Sequence, residues 1–414
     1  MSPVRAPGGG QEAIVAAERL VAEARFGGGS GWLELGQITE RLSAAVDRVM
    51  GEGGLWAPEL AARAFRQAQG DVLEAAQLLR AHRSTLPRLG ITPAVSTGEL
   101  RVVRRISSAF RNPPGGQILG KTMDYVGRLL DLLPEEEGRA RAAQAAAAQH
   151  GPSHSHDFAH AHAHAHTHGP GPTPAHRHPH RPGQPGPEPV PVPSSAPAAP
   201  QPPGAGEVER TPAHVLAVFR EMGLVAPPSG AADGDPEPCD ITRQPIRPGA
   251  PRSAWLQTMA RADTGSLLHL WYGSDWRPAE HEVPGELRHG ALPVRVEHPH
   301  TGRPVTVAEV RVSEVQTFHS LTRESGLPTN LDVGYGICFG HNERKAISMA
   351  GLDLLLAHHE GAADLQHDVL LTLDGLDSTG YVQHLKLPHH VEYRSVIERA
   401  HAAREAAPDS GDTV

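Results

Sequence analysis

The chain has 414 residues, a length that accommodates two or three domains around a sizeable buried core. Its formal charge of −9 argues against a general nucleic-acid binder, which needs a cationic face to release counterions. Two cysteines, Cys239 and Cys338, exclude a disulfide framework and a four-thiolate metal site. The first residues carry no apolar leader and no run approaches eighteen apolar residues, so a cytoplasmic protein that neither spans nor binds a membrane is expected. Glycine (44) and proline (39) are abundant and aromatics are only 4%, so part of the chain is poor in core-forming side chains.

In chain order, the N-terminal region reads as helical. Ile14, Ala17, Val21 and Ala24 fall at helical spacing, and so do Ile38, Leu42, Ala45 and Val49. A third helix opens near Pro58, places Leu60, Ala64, Phe65 and Ala68 on one face, and stops at Gly70. Asp71 followed by Glu74 is a capping-box pattern that starts a fourth, with Leu78 and Leu79 behind it. A glycine turn then leads into a helix expected around Asp124 to Leu133.

Between His150 and His180 lie eleven of the 27 histidines, followed by fourteen prolines from Gly169 to Gly206. So few apolar side chains cannot offset the entropy of ordering the backbone, which predicts a disordered His/Pro-rich linker over 139–206. It separates a mainly helical region, 1–138, from a mixed α/β region, 207–414. In the latter, Leu292–Val296 and Thr306–Val312 alternate like strands, Asp332–Gly340 reads as a buried strand with close backbone approach, and Asn342–Leu356 reads as a helix. The expected class is α+β.

Five features bear on chemistry. Gly115–Thr122 fits the phosphate-binding pattern G-x-x-x-x-G-K-[ST], but it follows the proline-stiffened Arg111–Pro114 rather than a buried strand, which favours a plain glycine turn. From His82 to Arg128 eight Arg/Lys face two acids, a local +6 that suits an anionic ligand or an acidic partner, or else is a solvated face. His384 and His389, five apart across Pro388, can converge on a metal; packed or surface histidines are the alternative. Arg344 and Lys345 open the last of these helices, either facing phosphates or as solvent-facing charges. The alternating histidines can collect nickel, zinc or copper, so a metal-storage or delivery protein is the competing reading.

Several segments together, Ala45–Gly54, Arg105–Ser108, Pro114–Gly120, Asp124-Tyr125, Asp240–Arg243, Gly334–Gly340, Glu343–Ala346 and His384–His389, resemble the PhnI family, a subunit of the bacterial carbon–phosphorus lyase complex. The resemblance spans the chain apart from the linker. It implies a core subunit that, with its partners, displaces adenine from ATP with a phosphonate to give α-D-ribose 1-(methyl)phosphonate 5-triphosphate, and that also acts as a nucleosidase. It further implies the G, H, J, K and L subunits as partners, two copies of this chain per complex, and Mg²⁺ accompanying ATP. Carried onto this sequence, His384 and His389 match the pair through which the family binds Zn²⁺ near the J subunit. Such chemistry needs a carboxylate near the anomeric carbon, a proton or hydrogen bond for the leaving adenine, and cations for phosphates. Arg104, Arg105, Arg344 and Lys345 are the available cations; the carboxylate and acid are left unassigned.

Overall fold

A computed structural model describes residues 10–149, 213–226, 238–273, 284–319, 330–358, 362–373 and 390–406, with 376, 382–383 and 385–386. The chain divides into two units, 1–121 with 211–414, and 122–210.

In the first unit, helices α1 (Gln11–Phe26), α2 (Leu35–Arg41), α3 (Ser43–Gly53), α4 (Pro58–Gln67) and α5 (Val72–Ser84) follow in order. Ile38, Val49, Met50, Ala61, Ala75 and Leu79 close a small core among α2–α5. The one helix expected across 38–49 is two helices, because Leu42 is both the C-cap of α2 and the N-cap of α3. The break lets Ile38 and Val49 share the core and leaves Leu42 exposed. The α1 periodicity does form a helix, but none of its residues is buried. Asp71 caps α5, accepting from the backbone N–H groups of Leu73 and Glu74 at 2.9 and 3.2 Å.

The second unit holds α6 (Glu135–Gln149) among its described residues. The helix expected at Asp124–Leu133 is absent: a single turn bonds Val126 N–H to Met123 O, and Asp131 accepts from Leu133 N–H. Leu129, Leu130 and Leu132 are exposed, so a helix here would have no apolar face to bury and nothing to offset its nucleation cost. Residues 139–149, expected as the start of the disordered linker, are instead the continuation of α6, and the histidine tract and the rest of that linker lie outside the described residues.

The sheet, in the first unit, is antiparallel in the order β1 (Arg101–Ser107), β2 (Pro284–Glu297), β3 (Pro304–His319) and β4 (Asp332–Phe339). Both predicted strands of the hairpin extend beyond their alternating stretches, and the register pairs Leu292 with Val310 and Val312 with Phe339. The short helix α7 (Val215–Glu221) sets Phe219 edge-on against Phe318 of β3. Helices α8 (Arg252–Arg261), α9 (Thr264–Gly273) and α10 (Glu343–His358) pack with the sheet around Met259, Leu267, Val315, Met349 and Leu355. The expected close approach at β4 is real. A Cβ on Gly334 would lie 2.0 Å from the Ala350 carbonyl oxygen, so only glycine lets α10 rest on the strand. Arg105–Glu286 (2.7 Å) and Arg288–Glu314 (3.1 Å) are buried ion pairs within the sheet. The architecture is α+β, as expected.

Candidate active site

A cavity of about 860 Å³ opens where α3, the end of α5, α8 and the β2–β3–β4 face meet. Leu292, Val310, Val312, Ile337 and Phe339 form an apolar wall, and Arg83, Arg88, Arg243 and Arg261 supply the charge. The alternation of β3 places Val310 and Val312 on this face, while Gly54, in a left-handed conformation at φ +64, ends α3 and exposes its carbonyl. Arg83 donates to that carbonyl at 3.2 Å.

One carboxylate serves two of the four arginines. Asp240 accepts from Arg88 and stands 3.9 Å from Arg243, and its own carboxyl is held well below the usual range by the Arg88 and Thr242 bonds. Arg83 shows the imbalance: burial first, then repulsion from Arg261, Arg80 and Arg88, lowers its guanidinium to about 10. Cations assembled around an apolar wall at such a cost suit an anion carrying an apolar body.

Beyond Phe339 a polar network follows. Gly340 turns at φ +76, a conformation that suits glycine, and His341 and Asn342 lead into α10. His341 Nε2 lies 3.0 Å from Glu343 Oε1, which also accepts from Arg104 Nε at 2.5 Å. Burial raises the Glu343 carboxyl, but the His341 and Arg104 bonds outweigh it and hold it low. The His341 ring stacks on His289, centroids 4.4 Å apart and planes within 16°. Burial, and then the neighbouring His341, lowers His289 to about 4. Asp47 on α3 accepts from the His341 N–H at 2.9 Å and from Arg311 at 2.8 Å.

The residues that stand out in the sequence scatter over these features. Arg104 joins the network through Glu343 and the Leu119 carbonyl, while Arg105 is buried in the ion pair with Glu286 and bonds the Pro114 and Gly116 carbonyls. Arg344 is exposed. Lys345 is buried, its amine has no hydrogen-bond partner among the described residues, and desolvation lowers its pKa. His384 and His389 lie outside the described residues, so the metal expectation stands untouched. Lys121 is exposed, and no helix follows it as a phosphate-binding loop requires.

Three of the segments that carry the resemblance converge on the cavity: Gly51 and Gly54 from the first, Thr242 and Arg243 from another, Ile337–Phe339 from a third. Arg83 and Arg88 belong to the basic stretch 82–128. Asp47 and Glu343 lie inside segments that carry the resemblance, yet nothing local marks them as site residues, and Arg261 and His289 have no local signal at all.

The fold and this cavity define an α+β protein with a cationic, apolar-walled cavity as its candidate site. The chain belongs to the family described as bacterial phosphonate metabolism protein (PhnI), which it matches over residues 5–407. HtxH of Stutzerimonas stutzeri, a putative C-P lyase subunit protein, is 38% identical over 411 residues, covering 96% of this chain and 95% of the relative. The α-D-ribose 1-methylphosphonate 5-triphosphate synthase subunit PhnI of Rhizobium meliloti (strain 1021) is 33% identical, covering 97% of each chain. The subunit of the same name from Escherichia coli (strain K12) is also 33% identical, covering 94% of this chain and 95% of its own. Nothing in these comparisons supports the metal-handling alternative.

Proposed function

We propose that this chain is the core subunit of an α-D-ribose 1-methylphosphonate 5-triphosphate synthase, acting in phosphonate breakdown as part of a multisubunit carbon–phosphorus lyase system. In this reading the cavity takes ATP as its magnesium complex. Arg83, Arg261, Arg88 and Arg243 pair with the phosphate oxygens, and the wall of Leu292, Val310, Val312, Ile337 and Phe339 receives the apolar face of the nucleoside. The phosphonate oxygen then attacks C1′ as adenine departs, with water as the alternative acceptor in a nucleosidase reaction. Partners G, H and L join this step, J and K belong to the rest of the system, and two copies of the chain are present per assembly.

The observation that carries the reading is the group of four guanidiniums beside an apolar wall, crowded enough that burial and neighbouring arginines lower Arg83. The test is adenine release from ATP and methylphosphonate by the assembled complex, with Arg83→Gln and Arg261→Gln. Each lost charge-assisted bond is worth about 1.5–3 kcal/mol, so KM for ATP should rise about 10- to 150-fold. An unchanged KM in both variants removes the cavity from the reaction.

A further inference from the structure

Arginines can hold the phosphates of the nucleotide proposed above, but a guanidinium only donates hydrogen bonds. The sugar of a ribonucleotide brings hydroxyl donors, and these need an acceptor once they leave water. A carboxylate in that place would pair with the arginines and cancel the charge that the phosphates require. A neutral acceptor held in one orientation would not. The lining of the cavity contains such a group in Gln257.

Gln257 lies on α8 one helical turn before Arg261, so the two side chains leave the helix on one face, and both line the cavity. Its amide is anchored at one end. Nε2 donates to the Ser253 carbonyl, one turn back, at 3.0 Å and to the Cys239 carbonyl at 2.5 Å. Two carbonyl oxygens accept only from the amide nitrogen, so these bonds decide which end of the amide is which. Both Nε2 hydrogens are thereby spent. Oε1 is engaged by no hydrogen bond among the described residues and is not sealed from solvent. The side chain presents an acceptor and no donor.

The anchoring segment belongs to the same site. Ser253 Oγ accepts from the Cys239 N–H at 3.1 Å, so Cys239 is tied to α8 through both of its backbone polar groups. Asp240, next in the chain, accepts from Arg88, and Thr242 and Arg243 line the cavity. The bonds that spend the Gln257 donors therefore also fasten the segment that sets these arginines. In a nucleoside triphosphate the ribose adjoins the phosphates, and the base lies a sugar's width beyond. With Arg261 on a phosphate, an acceptor one helical turn away falls beside the ribose.

We propose that Gln257 Oε1 accepts a hydrogen bond from a ribose hydroxyl of the bound nucleotide, which makes the cavity selective for ribonucleotides over their deoxy counterparts. Gln257 is a specificity-determining residue, and its amide leaves the charge of the arginines intact for the phosphates.

The proposal rests on the function given above, and the assembled complex tests the two separately. Adenine release is measured with ATP, 2′-deoxy-ATP and 3′-deoxy-ATP in the wild type and in Gln257→Met. For one of the two deoxynucleotides the wild-type KM should exceed that for ATP by about 2- to 12-fold, the worth of one neutral hydrogen bond. Which of them carries the penalty identifies the hydroxyl. Gln257→Met should raise KM for ATP by a similar factor and leave that deoxynucleotide unaffected, so the penalty disappears. Comparing substrate pairs within each protein cancels the intrinsic lability of a deoxyribosyl bond. Gln257→Lys, which keeps donors for both carbonyls and has no acceptor, replaces the Met variant if that one fails to assemble. A wild type that treats both deoxynucleotides like ATP overturns the proposal without any variant. So does an equal loss with all three substrates in the variants, the outcome of a side chain that only fastens Cys239. A wild-type complex that releases no adenine from ATP overturns the function itself.

Discussion

The Ala346 carbonyl oxygen stands 2.1 Å from where a Cβ on Gly336 would lie, and the Met349 Cβ is 2.8 Å from the same point. The β4–α10 contact therefore leaves no room for a methyl group, and the obstacle is helix backbone rather than the tip of a flexible side chain. This contact aligns Phe339 on the cavity and Glu343 on the network.

Gly336→Ala is expected to destabilise the chain by about 1–3 kcal/mol or more, the usual cost of overpacking a core that cannot yield. Urea unfolding monitored by circular dichroism checks this. Gly116→Ala is a poor control because Gly116 turns at φ +75, whereas Gly29→Ala, with open space around it, should be nearly silent.

His289 makes stability depend on pH between its folded value, about 4, and an unfolded value near 6.5. The folded state resists protonation, so below pH 6.5 the unfolded chain binds the extra proton and stability falls as pH falls. The loss accumulates to about 3 kcal/mol by pH 4 and then levels off. His289→Gln should flatten this part of the profile. Equal slopes in both proteins between pH 4 and 6.5 would show that His289 titrates freely in the fold.

Lys121→Ala is expected to leave ATP-dependent adenine release within a few fold of wild type, because Lys121 is exposed and no helix follows the glycine segment. A phosphate-binding lysine would make charge-assisted bonds worth about 1.5–3 kcal/mol each. A hundredfold loss of rate would restore that role.

The metal expectation separates two kinds of site. Removing residues 145–181 should abolish weak nickel and zinc uptake while one tight zinc per chain stays in the assembled complex, since flexible histidines select no geometry. Changing both His384 and His389 to Ala should do the reverse and stop growth on methylphosphonate as sole phosphorus source. Metal analysis of the purified complex reads the outcome, and a double variant that keeps its zinc and grows normally removes these histidines from metal binding.

Local chemistry makes several elements legible in the sequence. The Asp71 cap, the helix beginning at Pro58 and the glycine-rich β4 announce themselves through residues that are within a few positions of one another. The same local signals mislead across 38–49, where a bend at Leu42 serves a core shared with α4 and α5. They also mislead at Asp124–Leu133, whose leucines stay exposed.

By itself the sequence determined the α+β class, the His/Pro-rich composition of the insert and, through the ordered series of segments, the family. Those properties reside in composition and in order along the chain. Only the tertiary structure decided which charges act together. Arg105 looks like a ligand cation in the sequence and is spent in a buried pair with Glu286, 181 positions away. Arg83 and Arg261 look unrelated and face one cavity. His289 and His341 stack although they are far apart along the chain. Whether a charge is available or neutralised depends on burial and on partners distant in sequence, and folding alone brings those partners together.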